Sequence, residues 1–192
     1  MNIVLVEPEI PHNTGAVGRL ALATGSVLHL VKPLGFSLDE KSVRRAGLDY
    51  WKDVDLRVWE SFEELIAAHP EARVWFLSTK AKNSAWSVEF QPNDFLVFGR
   101  ETKGLPEAWL DERAIRIPMK EDSTRSLNLA TSVAIVLYEA QRQRQEAGMY
   151  AQQQLSEEEC QRMLFEGAFP KFKDMCERKN VPYPHIDEHG HI

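Results

Sequence analysis

Cysteine is scarce in this sequence: Cys160 and Cys176 are the two examples among 192 residues. Two cysteines, both in the last third of the chain, cannot build the disulfide framework of a small secreted domain. They lie sixteen positions apart, a spacing that matches no common set of zinc ligands, so we expect no metal site. A reducing compartment suits such a chain, and the composition favours a cytoplasmic protein.

Long apolar runs and an excess of basic residues are also missing. No run of about eighteen apolar residues occurs, so we expect no membrane-spanning helix. The first residues contain no lysine or arginine and reach an acid at Glu7, which is not the pattern of a secretory signal peptide. Lysine and arginine number 23 against 29 acidic residues, a net charge of −6. Binding to a nucleic acid would therefore need a local basic patch on an acidic protein.

Apolar residues are plentiful by contrast: they make up 43% of the chain, against 27% charged residues. At 192 residues, this proportion is sufficient for one domain with a proper core, and the chain is too short for two full domains. The composition changes near Gly148, after which the chain becomes polar and acidic. We therefore predict a domain over residues 1–147 and a helical C-terminal extension over residues 148–192.

Short apolar runs alternate with helical patterns before that boundary. The runs predict buried strands at residues 2–6, 27–31, 74–77, 95–98 and 114–117. Helices are predicted from an Asn13 N-cap to the residue before Gly25, from a Ser61 N-cap to Ala68, and from Ser126 to about Glu146. Strands that alternate with helices are typical of an α/β fold, so we expect a parallel sheet covered by helices on both faces.

The first strand-to-helix turn contains two glycines, Gly15 and Gly18, but is only weakly similar to a phosphate-binding turn. A dinucleotide-binding fingerprint requires three glycines, and its first position here is Asn13. An ordinary nucleotide-binding α/β enzyme is therefore a weak alternative. The polar residues of this turn are more unusual, and Arg19 follows one helical turn later. Taken alone, Arg19 is typical of a helix surface.

Two further segments combine glycine or amide side chains with the ends of predicted elements. The stretch 98–106 places a polar loop between Gly99 and Gly104 at the carboxyl end of a strand, where open α/β sheets bind ligands. A tight surface turn is the alternative. Asn128 stands near the start of the longest helix, where an amide that competes for backbone hydrogen bonds suggests a polar role. The nearby Ser126 is explained equally well as an N-cap.

These segments, in this order and at these separations, resemble the three motifs of the SPOUT-class RNA 2′-O-ribose methyltransferases. The matching blocks are Asn13-x-Gly15-x-x-x-Arg19, Phe98-Gly99-x-Glu101-x-x-Gly104-Leu105, and Arg116-Ile117-Pro118-Met119 leading to Arg125-Ser126-Leu127-Asn128-Leu129. Two further stretches, residues 7–11 and 44–51, favour the branch that methylates the wobble cytidine or uridine of tRNA. The resemblance covers about residues 1–145 and leaves the C-terminal extension uncovered.

The resemblance implies features that no pattern in the sequence would indicate. Its members have a parallel sheet with a deep C-terminal trefoil knot, form homodimers and bind S-adenosylmethionine as the methyl donor. Knots are nearly absent from proteins in general. Transferred position by position, the expected cofactor-binding residues of this chain are Leu77, Gly99, Gly104, Leu105, Ile117, Met119, Ser126 and Leu127.

The resemblance also implies a set of catalytic residues, which are Arg19, Asn13, Glu101, Ser126 and Asn128. A guanidinium has a pKa above about 12, so two roles for Arg19 stay open. It could be a formal base for the ribose hydroxyl, or a fixed cation that grips a phosphate and stabilises the developing alkoxide. We expect the second subunit of a dimer to supply this guanidinium, and Glu101 to orient Arg19 or a neighbouring main-chain donor.

The expected partner is tRNA, and the expected RNA-binding residues are Arg44, Arg45, Tyr50 and Trp51, which combine positive charge with rings that can stack on bases. Other candidate phosphate contacts are Lys41, Lys80, Lys82, Arg100, Lys103, Lys120 and Arg125. A knotted RNA-binding protein without catalytic activity is the main alternative. For the extension we expect no role beyond packing, dimer support or an additional RNA contact.

Overall fold

The computed structural model describes residues 1–37, 50–120 and 124–145, and these residues form one sheet of parallel strands. The strands are β1 (Asn2–Val6), β2 (Val27–Val31), β3 (Leu56–Trp59), β4 (Val74–Leu77), β5 (Asn83–Ser84), β6 (Phe95–Phe98) and β7 (Ala114–Arg116). They pair in the order β3-β2-β1-β6-β4-β7-β5, and every pairing is parallel. The predicted α/β class is confirmed.

Helices cover both faces of this sheet. The helices of the described region are α1 (Pro11–Thr24), α2 (Phe62–Ala68) and α3 (Leu129–Gln145). Ile3 and Leu5 of β1 belong to the core that contains buried residues of α1 and α3, whereas Val4 and Val6 belong to the core around Leu65 of α2. Successive side chains of a strand point to opposite faces, so the central strands are buried on both sides, as parallel strands usually are.

Two predicted helix starts are wrong. Helix α1 begins at Pro11, with Ile10 as its N-cap, because proline has no N–H to leave unpaired and its φ already suits the first helical turn. Asn13, the predicted cap, therefore lies inside the helix. Helix α3 begins at Leu129, three residues after the predicted start at Ser126.

The N-cap of α2 is confirmed, and α3 has a cap of the same kind. The Ser61 hydroxyl accepts a hydrogen bond of 3.1 Å from the Glu64 N–H. Asn128 precedes α3 directly, and its Oδ1 accepts a hydrogen bond of 3.2 Å from the Thr131 N–H. Each side chain thereby satisfies a main-chain donor that the first helical turn would leave unpaired.

The predicted strands β1, β2, β4 and β6 are confirmed over their whole lengths, and β7 ends at Arg116, one residue earlier than predicted. The strands β3 and β5 were not predicted, and both form edges of the sheet. Arg57 and Val58 of β3 are exposed, so this strand has no continuous apolar run. Strand β5 consists of two residues, which is too short for any periodicity.

The carboxyl ends of β1, β6, β4 and β7 are neighbours in this order, so the loops that follow these strands meet at one edge of the sheet. In the part of the chain that the structure describes, no helix combines the length and the apolar character that crossing a membrane requires. Residues 38–49, 121–123 and 146–192 lie outside the described residues. The predicted extension, Arg44, Arg45, Lys41 and both cysteines are among them.

Candidate active site

A cavity of about 580 Å³ opens at the carboxyl edge of the sheet. Its walls come from the loops that follow β1, β4, β6 and β7 and from the start of α3. Open α/β sheets bind their ligands at this edge. The eight residues predicted to bind a cofactor all line the cavity, together with Asn13, Glu101 and Asn128. Three segments that are distant in the sequence, around residues 99, 117 and 126, therefore share one cleft.

The loop after β6 folds back on itself, and its two glycines make this possible. A Cβ atom at Gly99 would lie 2.2 Å from the carbonyl carbon of Gly104, so no other residue fits there. Gly104 has a φ of +68°, which only glycine adopts readily, and its N–H donates to the Arg100 carbonyl at 2.9 Å. The sequence allowed either a ligand-binding loop or a tight turn at this place. The segment is a tight turn, and this turn also forms a wall of the cavity.

Glu101 projects from this turn into a ring of hydrogen-bond donors. Its carboxylate accepts hydrogen bonds from the main-chain N–H groups of Glu9 at 2.8 Å and Ile10 at 3.3 Å, and from the Asn13 amide at 3.0 Å. Bonds to an ionised acceptor are among the stronger hydrogen bonds of proteins. Glu101 was expected to orient either Arg19 or a neighbouring main-chain donor. The contacts with Glu9 and Ile10 are of the second kind.

The amide of Asn13 extends this network to α3. Its Nδ2 donates to Glu101, and its Oδ1 accepts a hydrogen bond of 2.9 Å from Nδ2 of Asn128. Asn128 in turn caps α3 through its Oδ1. Because each amide both donates and accepts, the orientations of both side chains are fixed, and the first loop, the turn after β6 and the start of α3 are held together.

Glu9 and Glu7 add two links that the sequence analysis missed. The Glu9 carboxylate accepts hydrogen bonds from the N–H of Thr102 at 3.0 Å and from its hydroxyl at 2.9 Å. Glu7 has a φ of +51° and forms an ion pair with Arg100. Each loop therefore supplies a carboxylate to the main chain of the other. The two acids that flank Pro8 were the only sign of these links in the sequence.

Arg19 is the one predicted catalytic residue that does not line the cavity of its own chain. Arg19 itself is exposed. It lies six residues after Asn13 on α1, and residues six apart on a helix point about 120° away from each other. The guanidinium carbon of Arg19 lies 4.6 Å from the centroid of the Tyr50 ring. Among the described residues, its aromatic neighbour is therefore Tyr50.

The rings of Tyr50 and Trp51 pack against α1. The Tyr50 hydroxyl donates a hydrogen bond of 2.9 Å to the Gly15 carbonyl, and a Cβ atom at Gly18 would lie 2.6 Å from Cζ3 of Trp51. Both rings are half-buried. The two glycines of α1 thus lie against aromatic side chains, which gives them a purpose unrelated to a phosphate.

The charged rim of the cavity is partly neutralised. Of the candidate phosphate contacts, Arg100 is paired with Glu7 and Lys80 with Glu107. The hydrogen bond from Lys80 lowers the pKa of the Glu107 carboxyl. Lys103 and Arg125 are exposed and line the cavity. Among the described residues, no group of three or more histidine, cysteine or acidic side chains could hold a metal ion.

Comparison with known proteins identifies the family. The model of the SpoU rRNA methylase family matches residues 1–138. The chain belongs to this family. A second model, of the C-terminal region of SpoU rRNA methylases, matches residues 142–192, so the family likeness continues beyond residue 145, where the motif resemblance was expected to end. The resemblance to RNA 2′-O-methyltransferases is thereby confirmed.

This SpoU methylase aligns with named relatives over almost their whole length. The tRNA (cytidine(34)-2′-O)-methyltransferase of Methylovorus glucosotrophus is 48% identical over 151 residues, which span 77% of this chain and 97% of the relative. The protein of the same name from Escherichia coli K12 is 46% identical over 147 residues, which span 74% of this chain and 93% of the relative.

Solved structures agree with the fold. A structure described as "Structural insights into the 2-OH methylation of C/U34 on tRNA" has a TM-score of 0.71 and 46% identity, covering 76% of this chain and 96% of that one. The SpoU methyltransferase AviRb from Streptomyces viridochromogenes, in complex with AdoMet, has a TM-score of 0.65 and 27% identity, covering 76% of this chain and 61% of AviRb.

Proposed function

We propose that this protein transfers a methyl group from S-adenosylmethionine to the ribose 2′-hydroxyl of the wobble nucleotide, cytidine or uridine 34, of tRNA. The observation that carries the proposal is the hydrogen-bonded chain Glu101–Asn13–Asn128 on the wall of the cavity. It occurs in a protein that is 48% identical to a tRNA (cytidine(34)-2′-O)-methyltransferase.

The cavity has the composition that the methyl donor needs. Apolar side chains for the adenine ring come from Leu77, Leu105, Ile117, Met119 and Leu127, and hydroxyl groups come from Ser78, Thr79 and Ser126. Cofactor sites typically have about 300–1,000 Å³ and combine apolar walls with a few polar groups. When bound, S-adenosylmethionine supplies a methyl group on a positively charged sulfur, which is already reactive toward an oxygen nucleophile.

The chain's own contribution is mainly alignment. The Glu101–Asn13–Asn128 network fixes three segments of the wall before any ligand arrives. Holding two reactants in the correct geometry can be worth about 7–11 kcal/mol of the barrier. Asn13 and Asn128 would thus help to keep the bound methyl donor aligned with the acceptor ribose.

Arg19 is the group that we assign to the ribose hydroxyl. Because it does not line the cavity of its own chain, we propose a homodimer in which Arg19 of each subunit serves the cavity of the other. There the guanidinium binds the adjacent phosphate and stabilises the negative charge that develops on the 2′-oxygen. A group that stays protonated at neutral pH acts more readily as a fixed cation than as a base.

Three further features belong to this proposal. The segments around the cavity, after β4, β6 and β7, would form the trefoil knot with the chain that leads to α3. The domain of residues 1–147 would carry the reaction, and the extension of residues 148–192 would support the dimer or the RNA. The cytoplasm, where tRNA is modified, is the proposed location.

The test uses the full-length protein, S-adenosylmethionine, and tRNA from cells that lack the protein. We expect mass spectrometry of nuclease fragments to find one ribose methyl group on nucleotide 34. Calorimetry should detect binding of the methyl donor to the protein alone. Binding of tRNA without donor binding or methyl transfer would overturn the proposal in favour of the inactive RNA-binding alternative.

A further inference from the structure

One face of α1 is fitted to the pair Tyr50–Trp51. Gly15, Gly18 and Arg19 stand at positions i, i+3 and i+4 of the helix, so they share a face. The Tyr50 hydroxyl donates to the Gly15 carbonyl at 2.9 Å. The Arg19 guanidinium lies over the same ring, 4.6 Å from its centroid. Tyr50 is thus bound to the helix at its hydroxyl end and carries a cation on its face.

Trp51 fixes the position of this ring. Its six-membered ring fills the space above Gly18, where a Cβ atom would be only 2.6 Å from Cζ3. Trp51 also packs against the core that α1 and α3 share. These contacts of Trp51 fix the backbone of residues 50 and 51 against α1. The Tyr50 ring is therefore also held close to the helix.

The contact between Arg19 and Tyr50 restricts a side chain that would otherwise move freely. An arginine on an exposed helix face samples many rotamers, and a cation over an aromatic ring is attracted by the negative face of the ring. The face of Tyr50 that Arg19 covers is not available to an RNA base. Stacking of an RNA base on that face, the role expected from the sequence, would require this contact to break.

We infer that Tyr50 is a positioning residue, which holds the Arg19 guanidinium in its working orientation rather than stacking on RNA. The inference rests on the proposed function, because it gives Arg19 a part in methyl transfer. Its experiment therefore has one arm that depends on turnover and one that does not.

The first arm is a double-mutant cycle. Tyr50→Leu removes the ring, and Arg19→Gln removes the cation. We expect Tyr50→Leu to lower kcat by between about 10-fold and 100-fold, as misplacement of a working group does. The KM for tRNA should change much less than kcat, and the Kd for the methyl donor should stay the same. In the Arg19→Gln background the same change should cause no further loss. Tyr50→Phe, which keeps the ring, should lose less than Tyr50→Leu.

Trp86→Leu is the matched control, since Trp86 is an aromatic residue of the short helical turn Ala85–Ser87 and is 49% exposed. It should leave kcat unchanged. An additive loss in the Arg19→Gln background, or a higher KM for tRNA at unchanged kcat, would overturn the inference and favour RNA stacking. Should Tyr50→Leu fail to fold, Gly18→Ala takes its place, because its added Cβ collides with the Trp51 ring beside Tyr50. Wild-type kcat in a Gly18→Ala variant whose Arg19 protons have lost the upfield shift of the Tyr50 ring would equally overturn the inference.

The second arm is NMR spectroscopy of the unliganded protein. The Tyr50 ring should shift the side-chain protons of Arg19 upfield, and this shift should persist in Tyr50→Phe and vanish in Tyr50→Leu. Shifts that are the same in all three proteins would overturn the inference whether or not the enzyme is active. If the wild type shows no methyl transfer but the shifts behave as expected, the proposed function fails and the positioning contact stands.

Discussion

Asn13 and Asn128 are 115 positions apart in the sequence, and a hydrogen bond of 2.9 Å joins their side chains. This bond ties the first turn of α1 to the cap of α3. At the far ends of the same helices, the Gln141 amide donates to the Thr24 carbonyl at 3.3 Å. The two helices therefore run side by side in the same direction, and a polar contact near each end joins them.

Replacing Asn128 with serine separates its two tasks. Serine caps a helix about as well as asparagine, but its shorter side chain does not reach Asn13. We expect Asn128→Ser to keep its free energy of unfolding within about 1 kcal/mol of the wild type and to lose most methyl transfer. Denaturant titration and initial rates measure the two effects. Asn128→Ala, which removes the cap as well, should be less stable by about 1 kcal/mol more. Normal turnover in Asn128→Ser would show that the bridge to Asn13 is dispensable.

Gly99→Ala should weaken binding of the methyl donor. The added Cβ would meet the Gly104 carbonyl carbon at 2.2 Å, and this backbone atom moves only if the whole turn shifts. Overpacking of this kind costs about 1–3 kcal/mol. Because the donor needs the undistorted turn, calorimetry should show a loss of donor affinity of about 5-fold to 150-fold. Gly25→Ala is the control, because Gly25 has a positive φ but open space around it. It should reduce stability and leave donor affinity unchanged; equal affinities in all three proteins would contradict the prediction.

Arg19→Lys should abolish most activity, because lysine lacks the planar fork that binds a phosphate at two points. Its stability should be unchanged, since Arg19 is exposed. Steady-state kinetics with thermal denaturation as the control tests both statements. Turnover within a few-fold of the wild type would refute the role assigned to Arg19.

Mixing subunits tests whether Arg19 serves the other cavity. Arg19→Lys and Glu101→Gln should each be inactive alone, since they damage different parts of one site. In a mixed dimer, one cavity combines an intact Glu101 with an intact Arg19 from the other subunit. A fully exchanged equal mixture should therefore regain about a quarter of wild-type activity, as symmetric dimers predict. A mixture as inactive as its components would mean that Arg19 acts within its own subunit.

His29 is a buried histidine away from the cavity, and its hydrogen bonds hold it neutral. It is fully inaccessible to solvent. The Trp59 indole N–H donates to its Nδ1 at 3.0 Å, so Nε2 carries the proton and donates to Oδ1 of Asn2 at 3.1 Å. Burial, followed by the charges of Arg57 and His69, lowers the pKa of His29 from 6.5 to about 4.

The lowered pKa of His29 makes stability depend on pH in one direction. Between pH 6.5 and about 4, the unfolded chain binds the proton and the folded chain does not. The contribution of His29 is therefore fully present above pH 6.5, falls as the pH drops through this window and levels off below it; in total it is about 3 kcal/mol. Denaturant titrations at several pH values measure the slope. His29→Gln, which keeps one donor and one acceptor, should flatten it, and an unchanged slope would assign it to other groups.

The sequence predicts the central strands and the carboxyl edge because burial on both faces produces continuous apolar runs. Strands β3 and β5 escape prediction for the opposite reason: an edge strand such as β3 exposes Arg57 and Val58. For Asn128, the prediction of a polar role near a helix start is right, but the predicted position relative to the helix is wrong. It was expected inside α3 and is its cap.

In the site, too, some features can be predicted from the sequence and others cannot. Glycines and amides in sequence motifs predict which segments converge, because their backbone and hydrogen-bonding needs are local. Contacts between loops 92 residues apart, such as that of Glu101 with the Glu9 N–H, leave no periodicity to detect. The same holds for Arg19 and Tyr50. Their types suggested a phosphate ligand and a stacking ring, and the structure places them against each other.

The exchange of carboxylates between the loops after β1 and β6 has a consequence for engineering. Glu101 serves the main chain of the first loop, and Glu9 serves the main chain of the second. A loop transplanted alone into a homologue that lacks the other loop's carboxylate would lose these hydrogen bonds. Grafts that aim to alter the choice of substrate must therefore move residues 7–13 and 99–105 as one unit.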